Sequence, residues 1–441
     1  MTESVQYQIV GTDAASVTAS IERGVVTGRL APGEALPSVR ALAQQLALSP
    51  TTVASAYRDL RQRGILVSHD RSRMTVAHRP ALATRLVAEI PSGAVDLASG
   101  NPDPPLLPDL GPALTQVGPV HRLYGDELAV DSLVELARTA FRRDGVDHDW
   151  LAIVGGGLDG LERILEVHCR LGDKIAVEDP CYIGALDLIR TLGLEPVGVP
   201  IDEYGMIPDA LNDALDDGCQ AMLLVPRAQN PSGAAIDADR AHQLRAVVDR
   251  HDHVLVVEDD PAGPVSGADY FPIAPGRPRW AVVRSVAKSL GPDLRVAIIA
   301  SDEDTHVRLL GRQRLGTGWV SHLLQYLTAR VWQQSLVDGT LKRAASTYRQ
   351  RRQTLIDELA DVDIVAVGAS GLNVWVPVIE EVPVVQGLAA RGWAVQAGEP
   401  FRIESEPGIR ITAASLDVAE APRLAYDIAD VFGHRLGTRR G

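Results

Sequence analysis

Five short apolar runs between residues 151 and 286 restrict the possible folds more than any other feature: LAIV, KIAVE, AMLLVP, VLVVED and AVVRSV. Each is four to six residues long and lacks the apolar–polar alternation of a half-exposed strand. Strands of that kind are covered on both faces, and helix-length segments separate them here. From about Ala94 the pattern predicts a mostly parallel sheet flanked by helices. Residues 310 to 355 read as helical, and GLNVWVPV, WAVQAG and GIRITAAS read as strands of a smaller C-terminal α+β part. No internal repeat or low-complexity segment interrupts the chain.

The first 78 residues have a different texture. Residues 13 to 28 read as one helix, Ser38 to Leu46 as a short amphipathic one, and a third begins behind Ser49 and runs to about Arg63. Ser49 can cap the free N–H groups of the third helix, and Pro50 suits its first position. Gly64 ends it, and ILVSHDRSRMTVAH reads as two short strands around a polar turn. These elements predict a winged helix-turn-helix over residues 1–78, a linker with Pro80 and Pro91 over 79–93, and a second domain over 94–441. A length of 441 residues suits a multidomain chain.

Charge follows the same division. Residues 1–80 hold nine Arg, no Lys and six acidic residues, whereas the remainder holds 34 basic against 51 acidic ones, within a net charge of −14. A mildly basic head on an acidic body suits a DNA-reading module joined to a domain with another task. With 46% hydrophobic and 23% charged residues the composition is globular, which excludes fibrous and disordered classes. No apolar run approaches the roughly 18 residues of a membrane span, and the N-terminus has no signal-peptide pattern, so a soluble cytoplasmic protein is expected. Cys169, Cys181 and Cys219 lie far apart without a C-x-x-C, as in a reducing compartment. His251 and His253 have no acidic or Cys partners at ligand spacing, so no metal site is expected.

A recognition helix carries short polar side chains on its first turn and apolar ones on its inner face. In the third helix Thr51, Thr52, Ser55 and Arg58 fall outward, and Val53, Ala56, Tyr57 and Leu60 inward. Arg40, on the preceding helix, is placed to clamp a phosphate or a guanine. On periodicity alone these residues equally suit the exposed side of any small helical domain. The longer string LPSVRALAQQLALSPTTVASAYRDLRQRGIL closely resembles the winged-helix signature of GntR-family transcription regulators. Two positions depart from that family: Pro50 stands where Arg is frequent, and the usual wing-tip Gly is replaced around Arg73.

Only three lysines occur, Lys174, Lys288 and Lys342. Arg stays protonated, whereas Lys can lose its proton and condense with an aldehyde. Lys174 and Lys342 read as solvated charges. Lys288 follows the AVVRSV run, at the strand end where ligands of open α/β sheets bind. Ser285 and Arg295 on either side of it suit a phosphate, which points to a phosphorylated aldehyde. VLVVED ends in Glu258 and Asp259 and is followed by Asp260, carboxylates that need a cation if buried, such as a protonated pyridine, and are otherwise a capping or surface cluster. Gly155-Gly156-Gly157, between LAIV and a helix, suits a phosphate or a plain turn. Asn230, in QNPSG, can hydrogen-bond a ring hydroxyl, and Tyr182, in EDPCY, can stack on a ring or simply fill core.

In this order the motifs resemble fold-type I pyridoxal-phosphate (PLP) aminotransferases over residues 94–441. The resemblance implies that Lys288 forms the internal aldimine, Asp259 pairs the pyridine nitrogen, Asn230 contacts O3′ and Tyr182 stacks on the ring. It further implies that Gly156, Gly157, Ser285 and Arg295 hold the phosphate and that Tyr124 reaches the phosphate of a partner subunit. Arg410 would bind an amino-acid carboxylate, the alternative being a surface salt bridge. One position departs from this family: Ala262 stands where a Tyr usually hydrogen-bonds O3′. A GntR-type head on such a body resembles the MocR subfamily of bacterial regulators, most of all its PtsJ-like members, linked to vitamin B6 salvage. That implies a homodimer in which PLP or a related B6 vitamer is the effector and the heads read an operator in double-stranded DNA. Two alternatives remain: an active aminotransferase carrying a DNA-binding head, and a vitamin B6 sensor that acts on another protein.

Overall fold

The computed structural model of the chain describes residues 7–26, 29–62, 65–69, 73–76, 90–118 and 121–433. It divides into two compact units, residues 1–84 and 85–441. Most of the expected linker, the polar turn of the strand pair at 70–72, and the terminating Gly28 and Gly64 lie outside the described residues.

The first unit contains α1 (Ala14–Val26), α2 (Val39–Leu46), α3 (Pro50–Gln62), β1 (Leu66–His69) and β2 (Arg73–Val76). Ser38 caps α2, its hydroxyl accepting from the Ala41 N–H at 3.2 Å, and Ala47 ends the helix in the left-handed region. Ser49 caps α3 by accepting from the Thr52 N–H at 3.1 Å. The apolar stripes of the helices meet over Val17, Ile21, Leu42, Val53, Leu60 and Leu66, all buried. β1 and β2 pair antiparallel, with Leu66 opposite Val76.

The second unit begins with β3 (Val95–Leu97), α4 (Gly111–Leu114), α5 (Asp131–Arg143), β4 (Leu151–Val154) and α6 (Gly157–His168). There follow β5 (Lys174–Asp179), α7 (Ile183–Thr191), β6 (Glu195–Asp202), β7 (Gly205–Met206), α8 (Pro208–Asp216), β8 (Ala221–Leu224), α9 (Ala238–Val248), β9 (Leu255–Asp260), β10 (Trp280–Ser285) and β11 (Ala297–Ser301). The chain closes with α10 (Glu303–Arg314), α11 (His322–Val337), α12 (Thr340–Ala360), β12 (Asn373–Pro377), α13 (Glu381–Ala389), β13 (Trp393–Ala397), β14 (Gly408–Thr412) and α14 (Ala421–Val431). The segment expected to be helical from 310 to 355 is therefore three helices, interrupted by the glycine-containing turn at Leu315–Ser321.

The central sheet runs β4-β11-β10-β9-β8-β5-β6-β7. Strands β10, β9, β8, β5 and β6 are parallel, and β11 runs against both of its neighbours. The five apolar runs, in β4, β5, β8, β9 and β10, are buried on both sides, as is β11, which explains why they do not alternate. Alternate residues feed two separate cores. Val256, Val282 and Met222 pack with α5, α8, α9 and α11, while Val257, Val283 and Leu223 pack with α6, α7 and α10. A four-stranded sheet, β12-β14-β13-β3, forms the smaller part with α13 and α14. Its strand β3 comes from the start of the unit, so the smaller part is not purely C-terminal as the sequence pattern suggested. No helix among the described residues is long and apolar enough to cross a membrane.

Candidate cofactor site and DNA-facing helix

Parallel strands place their C-terminal ends on one side of the sheet, and the candidate residues collect there. Gly156 caps α6 at φ 116°, a conformation that favours glycine, and a Cβ on it would lie 2.7 Å from Nη2 of Arg295. A Cβ on Gly157 would lie 3.7 Å from Cβ of Ser285 and 3.8 Å from Oδ1 of Asp259, so these three residues face one space. Arg295 donates to the Gly155 carbonyl at 3.0 Å and is otherwise exposed. The N-terminus of α6 opens onto the same space, with Asp159 taking one of its neighbouring donors, the Gly155 N–H, at 2.8 Å.

Lys288 donates to the Gly100 carbonyl at 2.6 Å. Burial, and then the positive charge of Arg410, lower its ammonium to about 8. Arg410, on β14, is buried rather than exposed; it donates to Asn230 Oδ1 at 3.2 Å and to the Ala98 carbonyl, and its guanidinium lies 5.0 Å from the centre of the Phe401 ring. Its Nε has no partner, and among the described residues it forms no ion pair. The surface salt bridge held open for Arg410 is thereby excluded; burial lowers its guanidinium to about 10. Asn230 also accepts from Asn373 at 3.4 Å. Tyr182 is half-buried at the head of α7, where burial and the charge of Asp259 raise its phenol.

The three acids at the end of β9 are all buried, which excludes a surface cluster, and they meet different fates. Glu258 accepts from the Tyr270 hydroxyl and from the Ile273 N–H at 2.6 Å. Asp260 binds Arg227 at 2.8 Å and Arg284 at 2.7 Å; burial opposes its ionisation, but the two arginines outweigh it and hold the carboxyl well below the usual range. Asp259 has a buried Oδ1 with no partner, and burial followed by the charge of Asp260 raises it to about 7. An unpartnered carboxylate, an amine on a strand end and a glycine turn beside an arginine and a serine together fit PLP. Where the sequence marked side chains, it did not mark the Gly100 and Ala98 carbonyls. A backbone acceptor has no residue-type signature.

Tyr124 stands apart from this group. It is 95% exposed, and its ring meets Trp319 edge-on at 5.5 Å. Lys174, expected as a solvated surface charge, pairs at the surface with Asp217 at 2.7 Å. Ala262 is buried and lends its methyl group to the core.

In the first unit Val53, Ala56, Tyr57 and Leu60 are buried, and Tyr57 donates to the Pro37 carbonyl at 2.8 Å. Thr51, Ser55 and Arg58 are exposed on α3, as is Arg40 on α2, while Thr52 is half-buried. The hydroxyls of Thr51 and Thr52 lie 2.7 and 2.8 Å from that of Ser49, so the helix cap sets their directions.

Residues 13–76 match the gntR family of bacterial regulatory proteins, and residues 93–428 match aminotransferase class I and II. The vitamin B6 salvage pathway transcriptional repressor PtsJ of Salmonella typhimurium is 35% identical over 95% of this chain and 98% of its own length. The chain belongs to the MocR subfamily. Another relative with this MocR architecture is the pyridoxine biosynthesis transcriptional regulator PdxR of Corynebacterium glutamicum, 27% identical over 78% of each chain. Among solved structures, the kynurenine aminotransferase of Pyrococcus horikoshii superposes with a TM-score of 0.72 at 21% identity, covering 79% of this chain and 92% of the other. An archaeal alanine:glyoxylate aminotransferase gives 0.71 at 22%, covering 78% and 91%. These likenesses place the body of this MocR-type chain in the fold-type I aminotransferase fold.

Proposed function

We propose that the chain is a transcription regulator that binds PLP in its body and DNA through its head, in the service of vitamin B6 metabolism or salvage. The head would span residues 1–78, the linker 79–93 and the body 94–441. The observation that carries the reading is the joining, in one chain, of a GntR head to a body that buries Asp259 and Arg410 and half-buries Lys288, with no ion pair to any of them among the described residues, and leaves Asp259 Oδ1 and Arg410 Nε without partners.

Bound PLP supplies an aldehyde that condenses with primary amines. Lys288 would be the protein's amine; because its ammonium is lowered to about 8, a useful fraction is neutral near pH 7. Asp259 would hold the proton on the pyridine nitrogen, Asn230 the ring hydroxyl, and Tyr182 the ring face. Gly156, Gly157, Ser285 and Arg295 would take the phosphate. Tyr124, exposed in its own chain, would serve the partner's phosphate in a homodimer. Arg410, already turned toward Asn230, would take the carboxylate of an amino acid. In the head, Thr51, Thr52, Ser55 and Arg58 would meet base edges or phosphates and Arg40 a phosphate or guanine.

Regulation requires that the ligand bind one arrangement of the heads more tightly than another. Lys288→Ala tests the link: PLP should then no longer change the affinity for promoter DNA beside the chain's own gene, as read by mobility shift, and the visible cofactor band should be lost. An unchanged response to PLP would overturn the reading. The buried Arg410, which forms no ion pair among the described residues, also favours a second reading, an active aminotransferase with a DNA-binding head. Steady amino-group transfer at roughly 1 to 1000 per second would put that reading first; Ala262, which supplies no phenol, favours the regulator.

A further inference from the structure

The loop between β13 and β14 carries no residue of the proposed cofactor set, yet it is fastened to the end of β5. The carboxylate of Asp179 accepts four hydrogen bonds from it: the N–H groups of Ile403, Glu404 and Ser405 at 2.9, 2.7 and 2.9 Å, and the Ser405 hydroxyl at 2.7 Å. Two residues on, the Cys181 N–H donates to the Phe401 carbonyl at 2.8 Å. At its base the loop is held by Glu381, which accepts from the Glu399 N–H at 2.6 Å and pairs with Arg402 at 3.0 Å. The loop leads directly into β14, where Arg410 sits, and it places the buried Phe401 ring against the Arg410 guanidinium.

We propose that Asp179 is a positioning residue for the carboxylate site. By gathering three backbone donors and a hydroxyl it fixes the loop, and through Phe401 it fixes the guanidinium of Arg410 in the setting that receives a carboxylate. A charged acceptor with four donors is a strong anchor, and such bonds weaken sharply when the acceptor loses its charge. Asn in its place would turn an amide NH2 toward backbone N–H groups that need an acceptor. The proposal rests on the reading of Arg410 as a carboxylate site and adds the group that prepares it.

The test uses the full-length chain loaded with PLP and two probes, L-alanine and ethylamine, which differ only by the carboxylate. Each is titrated while the visible absorption of the cofactor is recorded. In the unaltered chain L-alanine should act at lower concentration than ethylamine. In Asp179→Asn its half-saturating concentration should rise about tenfold, with ethylamine and PLP itself affected less than about twofold. Ser405→Ala removes one of the four bonds and should raise the L-alanine value about threefold; it decides the matter if Asp179→Asn does not fold. An unchanged L-alanine titration in the variants would overturn the role of Asp179, as would an equal loss for all three ligands, which is the mark of general loosening. If the unaltered chain does not distinguish L-alanine from ethylamine, the Arg410 reading fails and the role of Asp179 falls with it.

Discussion

On one face of β9, Asp260 meets Arg227 and Arg284, and the same arginines reach Asp144 at 3.3 and 2.9 Å. On the other face, one residue earlier, Oδ1 of Asp259 meets nothing. Strand geometry sends neighbours to opposite faces, so Asp260 continues the row of Val256 and Glu258, and Asp259 that of Leu255 and Val257. The first face behaves as structure, with each charge neutralised by chain elements far apart in sequence. The second keeps a costly buried carboxyl open, while Lys288 is held only by the Gly100 carbonyl and the Nε of Arg410 has no partner. Buried charge by itself therefore does not mark a functional site. Buried charge without a partner does, because the fold bears its desolvation cost until a ligand supplies the counter-charge.

The sharpest way to break this contrast is to neutralise each acid in turn. Asp260→Asn should destabilise the chain by about 3–5 kcal/mol with or without PLP, since it strands two buried arginines; denaturant unfolding measures it. Asp259→Asn should do the reverse to the cofactor-free chain, raising its unfolding midpoint at pH 8. At the same time it should weaken PLP by about 2 kcal/mol or more, read by spectroscopic titration. Equal losses of stability in the two variants would end the comparison.

The two acids should also give opposite pH dependences. With its carboxyl raised to about 7, Asp259 stays protonated in the folded chain where the unfolded chain has lost the proton. The stability it contributes to the cofactor-free chain therefore falls as pH rises from the usual carboxylate value of 3.8 to about 7. Asp260 is held low, so its contribution is present above 3.8 and is lost as pH falls below that value. Unfolding curves between pH 4 and 8 should show a shallower decline in Asp259→Asn than in the unaltered chain, the remainder coming from Glu178, whose carboxyl burial raises to about 8.

The smallest expected effect lies in the head. Ser38→Ala removes the cap of α2 and should cost the head about 1 kcal/mol, without moving the affinity of the body for PLP. A thermal melt followed beside a PLP titration separates the two.

Much of this was legible because it is local. The helix-turn-helix shows in Ser38, Ser49, Pro50 and the inward stripe of Val53, Ala56, Tyr57 and Leu60, all of which act within one or two turns. The strands show as apolar runs, and Lys288, Ser285 and Arg295 stand out by residue type beside one strand end. Strand β3 was missed because three residues, VDL, carry no period, and their pairing with β13 depends on a partner some 300 positions away.

The order of its short-range signals was enough, without coordinates, to point to a basic winged head, an acidic α/β body and a lysine at the end of a buried strand. Periodicity, capping and side-chain chemistry are properties of neighbouring residues. Tertiary structure alone decided which of three consecutive acids would be left open and whether Arg410 would be buried. It also decided which carbonyl would hold Lys288, 188 positions from Gly100 along the chain. Those outcomes depend on strand register and on which distant segments the chain brings to the same sheet edge, and no window of sequence contains both partners.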